Sequence, residues 1–312
     1  MKKNNKPIPV VVILGPTGVG KTSLLIDNLY DIAEIISADA YQVYKGLDIG
    51  TAKPSLSEQK KLKHHLIDIL FPDEQYTVGN FVQLADDCAK EIAARGKIPI
   101  VAGGTAYYLR HFIYGLPETP TASPTVRERV KRFIEEHGAQ LAWEKLFDID
   151  RQAAEKIGKN DVYRISRALE VIEQTGKKLS SFGVCGERRS QYSFYVLGLM
   201  RPREELYQRI NLRVDNMFVS GLAEEVEALA REGYTADSPA LKAIGYREFF
   251  INKGAPLDFI KEEIKKNTRH FAKRQLTFFK RFGDVRWYHP ENISVVSDIK
   301  DFAEHALTTY LS

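Results

Sequence analysis

The chain reads as a parallel α/β protein with an all-helical insertion, and three observations predict it. Short apolar, β-branched runs near 10–14, 34–37, 98–102 and 193–200 alternate with segments of helical spacing, as in a parallel sheet with crossover helices. The first run leads straight into Gly15-Pro16-Thr17-Gly18-Val19-Gly20-Lys21-Thr22, which fits G-x-x-x-x-G-K-[ST]. From Thr125 to about Gly183 strand signals stop, and only helical periodicity remains before a strand pattern returns. The domain reading is a catalytic α/β core over 1–117 and 191–312, with a helical insertion over 118–190.

The glycine-rich stretch has the context its chemistry needs. Val10 to Leu14 reads as a buried strand, and Ser23 to Leu29 carries helical apolar spacing. Glycines at 15, 18 and 20 let the backbone wrap an anion. Amides at a helix N-terminus then point at phosphate. Lys21 adds a point charge, and the Thr22 hydroxyl is the expected Mg²⁺ contact. The bland alternative is a glycine turn with a solvated lysine. The motif predicts a bound diphosphate or polyphosphate without naming the reaction.

Composition sets limits. A chain of 312 residues can bury a full core and carry more than one folding unit. A net charge of +4 is too mild for composition alone to mark a nucleic-acid binder. The two cysteines, Cys88 and Cys185, lack metal-ligand spacing and read as reduced thiols of a cytosolic protein. Met1-Lys2-Lys3 followed by Val10 to Leu14 is too short for a signal peptide, and no apolar run reaches membrane-spanning length.

In order, Glu34 to Ser37 is a strand, and Asp39 falls just past its C-terminal end, the edge where parallel sheets bind ligands. A turn or helix-cap aspartate is the alternative. Lys45 to Pro54 is a polar loop. His64 and His65 point apart on a strand, so a shared metal is not expected. Asn80 to Ala94 reads as an amphipathic helix. The strand Ile98 to Ala102 runs into Gly103-Gly104-Thr105, where many P-loop enzymes place a Mg²⁺-binding acid. The glycines suggest close approach of a ligand and Thr105 offers a hydroxyl; a tight turn with a helix cap is the alternative. The missing acid argues against ordinary ATP hydrolysis.

The insertion follows a proline-rich linker, Pro117 to Pro124, with helices expected at 126–136, 139–147, 151–157 and 161–174. Arg164 and Arg167 share a helical face, either solvated or functional. Beyond Ser193 to Met200, helices are expected over 204–219 and 222–232. Arg209 and Arg213 lie four apart on the first, where both can face the edge that carries the glycine-rich loop, with a surface role as the default for each. Residues 261–282 form a long helix, with Ile264, Phe271, Leu276, Phe278, Phe279 and Phe282 on one arc. Lys266, Arg269, His270, Lys273, Arg274, Lys280 and Arg281 form a basic face suited to a polyanion. The tail after Arg286 reads as core closure, with a helix from about Ile299.

Together these segments resemble the bacterial tRNA dimethylallyltransferases, also called tRNA isopentenyltransferases. The resemblance rests on GPTGVGKT at 15–22, SADAYQVYKGLDIGTAKP at 37–54, HHLID at 64–68 and IPIVAGGT at 98–105. YRISRALE at 163–170, KAIGYRE at 242–248 and KRQLTFFKR at 273–281 complete it. It implies a P-loop kinase-like core with a helical insertion gripping the tRNA anticodon stem-loop. It also implies transfer of a dimethylallyl group from dimethylallyl diphosphate to N6 of the adenosine 3′ of the anticodon. Carried onto these residues, Gly15 to Thr22 hold the diphosphate and Thr22 touches Mg²⁺. Asp39 is the general base, Thr105 assists beside the reacting groups, and Arg213 holds the leaving diphosphate. Asp39, Ala40, Tyr41, Gln42, Thr105 and Arg127 match tRNA-contact positions. So do Tyr163, Arg164, Ile165, Ser166 and Arg167, and Lys242, Ala243, Ile244, Gly245, Tyr246 and Arg247. Lys273 and Arg274 join them through the basic face. The family usually has Ser at Ala40 and Gln at Tyr163, so these departures bear on which tRNAs are accepted. A monomer in the cytoplasm, with no membrane partner, is the expected state. Other readings are an adenylate isopentenyltransferase, a P-loop kinase of a small molecule, and an RNA-binding protein with a vestigial P-loop.

Overall fold

The computed structural model describes residues 6–183 and 186–312. The readings of Met1 to Lys3 and Cys185 lie outside these residues. The chain divides into two compact units, Met1–Ile113 with Arg189–Ser312, and Tyr114–Arg188.

The first unit is built on a parallel sheet. Its first half comprises β1 (Ile8–Leu14), α1 (Lys21–Asn28), β2 (Ala33–Ser37), α2 (Leu56–Lys61), β3 (His64–His65), α3 (Val78–Ala94), β4 (Ile98–Ala102) and α4 (Ala106–Tyr114). In the second unit lie α5 (Pro124–Ile149), α6 (Arg151–Ala154) and α7 (Val162–Thr175). The first unit resumes with β5 (Tyr192–Leu199), α8 (Arg203–Val219), α9 (Leu222–Arg231), α10 (Arg247–Ile251), α11 (Leu257–Phe279), β6 (Arg286–Tyr288) and α12 (Ser294–Leu311).

The six strands run in the order β3-β2-β4-β1-β5-β6, all parallel. β1 is central and every residue in it is buried, as a strand covered by helices on both faces requires. Val11 and Ile13 pack with Leu25 of α1, Leu206 and Ile210 of α8, and Val295 and Ile299 of α12. The edge beyond the strand C-termini therefore carries the loops after β1, β2 and β4 side by side. The segment at 286–288, expected only to close the core, is the last strand, with Arg286 opposite Leu197.

A second buried cluster joins Val43, Tyr44 and Leu47 of the β2–α2 loop to Val214, Met217, Leu222, Val226, Tyr246 and Ile264. It fixes that loop against α8 and α9. Leu257–Phe279 bounds the long helix, which buries Ile260, Ile264, Ala272, Gln275 and Phe279.

The insertion's first two expected helices are the arms of α5, broken at Gly138 (φ 81°), a conformation that favours glycine. Ser123 caps α5 by accepting the Val126 N–H, and Asp161 caps α7 by accepting that of Arg164. Val126, Val130, Leu146, Ile165 and Leu169 form this unit's core.

Candidate active site

The glycine-rich loop links β1 to α1. Gly18 (φ 78°) and Gly20 (φ 106°) are left-handed, so side chains there would strain the turn. A β-carbon on Gly18 would also come within 3.0 Å of Ile210. The Lys21 ammonium donates to the carbonyls of Gly15 (2.7 Å) and Pro16 (2.9 Å). Burial and the nearby Arg213 guanidinium pull its pKa down to about 7, with Asp39 opposing them. Thr22 is exposed in the first turn of α1, and the Val19 side chain is buried in the core.

The turn after β2 meets the turn after β4. Ala38 donates its N–H to Ala102 and accepts that of Thr105, while the Thr105 Oγ1 accepts the Ala40 N–H at 3.0 Å. Asp39 Oδ1 accepts the N–H groups of Tyr41 (2.9 Å) and Gln42 (3.3 Å). One Asp39 oxygen thus holds the turn, as a turn aspartate does, and the residue also lines the pocket. Gly103 and Gly104 have a different cause from the one expected. A β-carbon on Gly103 would lie 2.1 Å from the Ala38 carbonyl oxygen, and one on Gly104 would lie 2.6 Å from Gln275 Nε2. These glycines admit the protein's own atoms.

A pocket of about 570 Å³ opens on these loops. Lys21, Thr22, Asp39, Gln42, Arg209 and Arg213 line it, with apolar walls from Leu25, Met217, Ile264 and Phe271. The Arg213 Nη2 donates to the Thr51 carbonyl at 3.2 Å, and desolvation lowers its pKa against the pull of Asp39.

Two residues that sequence reasoning did not single out hold this site together. Gln275 is buried; its Oε1 accepts the Thr17 N–H (3.0 Å) and its Nε2 donates to the Gly104 carbonyl (2.7 Å). It ties the loop after β1 to the loop after β4. Glu225 on α9 accepts the N–H groups of Asp48, Ile49 and Gly50 at 2.8–3.2 Å and the Tyr246 hydroxyl at 2.5 Å. The same loop carries the Thr51 carbonyl that accepts from Arg213. The only sequence cue was that Gln275 falls on the buried arc of α11.

The expected tRNA-contact positions divide. Ala40, Tyr41, Gln42, Lys242, Ile244 and Arg247 are partly or fully exposed in the first unit. Tyr246 is corrected: it is fully buried, its hydroxyl spent on Glu225 and Gly50, and a β-carbon on Gly50 would strike its ring. Ala243 and Gly245 are buried as well, and Ala243 lines the pocket. In the insertion Arg127, Tyr163 and Arg164 are exposed, with Tyr163 at 81%. Ser166 bonds Glu170, and Arg167 donates to the Pro120 carbonyl. Ile165 is corrected to a core residue, buried completely.

On α11, Lys273 and Arg274 are exposed and line a groove with His270, Thr277, Phe278 and Arg281. Phe278 thus sits among the basic residues, against its expected place on the apolar arc. Lys266 pairs with Glu263 and Arg269 donates to Asn211, so part of the basic face is satisfied within the chain.

Among the described residues no group of three or more His, Cys, Asp or Glu is placed to hold a metal ion. Mg²⁺ commonly takes one or two protein oxygens and completes its shell with phosphates and water. The Thr22 hydroxyl beside the cradle fits a Mg²⁺ that arrives with a diphosphate. Among the described residues no helix is long and apolar enough to cross a membrane.

The glycine-rich loop, the turn carrying Asp39 and the Gly-Gly-Thr turn open on one pocket, and the similarities to known proteins identify the chain as a transferase. The chain belongs to the IPP transferase family, whose model matches residues 42–282. The tRNA dimethylallyltransferase of Borrelia hermsii is 40% identical over 307 residues, covering 97% of this chain and 99% of that protein. The crystal structure of the full-length tRNA isopentenylpyrophosphate transferase from Bacillus halodurans matches with TM-score 0.70 and 34% identity, covering 97% of this chain and 98% of that one. A eukaryotic dimethylallyltransferase acting on tRNA matches with TM-score 0.80 at 28% identity, covering 95% of this chain and 80% of that one.

Proposed function

We propose that this protein transfers a dimethylallyl group from dimethylallyl diphosphate to N6 of the adenosine 3′-adjacent to the anticodon of tRNA, releasing diphosphate. The observation that carries the reading is that Asp39 after β2, Lys21 after β1 and Arg213 on α8 line one pocket. The relatives named tRNA dimethylallyltransferase support it.

In the reaction the allylic C–O bond breaks and an N–C bond forms. Negative charge gathers on the departing diphosphate, and the loop amides, Lys21 and Arg213 are placed to receive it. An adenine amino group is a weak nucleophile, because its lone pair is delocalised into the ring. The Asp39 carboxylate accepts its proton, an effect that typically contributes about 10²–10⁴-fold. Thr105 holds the turn bearing Asp39. The Thr22 hydroxyl would hold a Mg²⁺ ion, which would supply charge neutralisation of the diphosphate. The target base leaves its stack to enter the pocket, as base-modifying enzymes require. Arg127, Tyr163, Arg164 and Arg167 of the insertion, with Lys242, Arg247, Lys273 and Arg274 of the first unit, contact the tRNA. With tRNA as substrate, the enzyme works in the cytoplasm as a monomer.

The test offers labelled dimethylallyl diphosphate and Mg²⁺ with bulk tRNA or with AMP, while ATP turnover is followed. Label in tRNA alone is expected. Label in AMP would assign the free-nucleotide reaction, and ATP consumption without transfer would assign a kinase.

A further inference from the structure

Two arginines grip the outer side of the anion cradle. Arg201, buried just after β5, donates from Nε to the Val19 carbonyl at 2.9 Å. Arg209 on α8 donates from Nε to the Gly18 carbonyl at 3.0 Å. The two carbonyls are consecutive. The Nη2 atoms of both arginines lie 3.7 Å from the point a β-carbon would occupy on Gly20. Arg201 is in turn fixed by Glu205 and Glu291, with His289 at 3.4 Å from its Nη1. The transfer chemistry assigns no task to either arginine.

Peptide geometry supplies one. In a trans peptide the carbonyl and the N–H of the next residue point to opposite sides. Fixing the Gly18 and Val19 carbonyls toward the arginines turns the Val19 N–H onto the Pro16 carbonyl, 3.4 Å away inside the loop, and the Gly20 N–H away from the arginines. A loop with left-handed glycines at 18 and 20 has many conformations open to it, and each must be given up on binding unless something fixes the loop beforehand.

We propose that Arg201 and Arg209 are positioning residues that staple the loop through its carbonyls, so that the Gly20 amide meets a diphosphate already aimed. The proposal rests on the diphosphate reading of the cradle. Preorganisation of this kind raises affinity by removing the ordering cost from the binding step. Arg209 also lines the pocket, so its positive charge adds to the attraction.

The test titrates the full chain with inorganic diphosphate by calorimetry. The proteins are native, Arg201→Gln, Arg201→Lys, Arg209→Gln and Lys21→Ala, and tRNA affinity and melting temperature are measured alongside. Arg201→Gln and Arg209→Gln are each expected to weaken diphosphate about tenfold, the scale of one lost charge-assisted hydrogen bond. Arg201→Lys keeps a donor for the carbonyl and is expected to recover most of that loss. Amide exchange at Val19 and Gly20 is expected to quicken in ligand-free Arg209→Gln. tRNA affinity is expected to stay near native. Arg209 is exposed, so its variant tests the staple without disturbing the core. Native diphosphate affinity in both glutamine variants, with Lys21→Ala weakened, would overturn the staple alone. Native affinity in Lys21→Ala as well would overturn the diphosphate reading beneath it. Equal losses of tRNA and diphosphate binding in Arg209→Gln would mark general damage and count against the proposal.

Discussion

The Thr105 hydroxyl accepts the Ala40 N–H at 3.0 Å and thereby locks the turn after β4 to the turn carrying Asp39. Removing that acceptor frees the Asp39 turn without touching the sheet. Thr105→Val is expected to slow single-turnover transfer about tenfold, and Thr105→Ser to restore most of it, since one hydrogen bond to a buried donor is worth about 1–3 kcal/mol. A valine variant with the native rate would show that the turn holds itself.

Asp39→Asn keeps the shape of the side chain and its acceptor oxygen toward Tyr41, but it cannot take the proton. Transfer is expected to fall by about 10²–10⁴-fold while tRNA affinity stays within about twofold. Parallel loss of both, measured by quench-flow and filter binding, would falsify the base assignment.

Glu225 anchors the loop whose Thr51 carbonyl accepts from Arg213. Glu225→Ala leaves three N–H groups and the Tyr246 hydroxyl without their acceptor. Stability is expected to fall by about 2 kcal/mol. The KM for the donor is expected to rise more than the KM for tRNA, because Arg213 loses its bearing. Denaturant titration and initial rates check the two halves separately.

Glu34 is a buried carboxylate on β2. Burial alone would raise its pKa, but hydrogen bonds from Arg95 and His65 outweigh burial and hold it below the usual glutamate range. As pH falls, the unfolded chain therefore takes up this proton first. The stabilisation is complete above the ordinary glutamate range and is lost as pH drops through the lowered folded value. Glu34→Gln is expected to be about 1–2 kcal/mol less stable than the native chain at pH 7. The gap should close in acid, as paired urea titrations at the two pH values would reveal.

Lys273 and Arg274 are exposed on the groove of α11. Reversing both charges is expected to weaken tRNA binding and to flatten its dependence on salt, since fewer counterions are released. Affinities measured across a salt series give the slope directly; an unchanged slope would leave this face merely solvated.

How much of this was legible in the sequence follows from where each signal lives. β1, β4 and β5 announce themselves because strands buried on both faces must be continuous apolar runs. The cradle is legible because left-handed turns need glycine at set spacings. By contrast β6 is three residues long, Arg286 to Tyr288, and so short a run carries no period. Gln275 and Glu225 stayed hidden for another reason. Apart from the Tyr246 hydroxyl on Glu225, their partners are backbone groups 171 and 258 residues from Gln275 and 175–177 from Glu225, and a backbone group has no letter in the sequence. Tyr246 and Ile165 fell within segments of family resemblance, which does not separate residues that touch a substrate from those that brace the ones that do.

The insertion leaves the first unit after Ile113 and returns at Arg189, and the Arg189 N–H bonds the Ile113 carbonyl at 2.9 Å. The intervening segment, Tyr114–Arg188, thus leaves and re-enters the first unit at two points that this main-chain bond joins. Arg189 is held there further by Asp86 through two contacts from its guanidinium. Ends this close together let the first unit close over the point of insertion, the arrangement under which an inserted domain is tolerated. A branch attached in this way can lengthen or shrink over evolutionary time while the parallel sheet keeps its order.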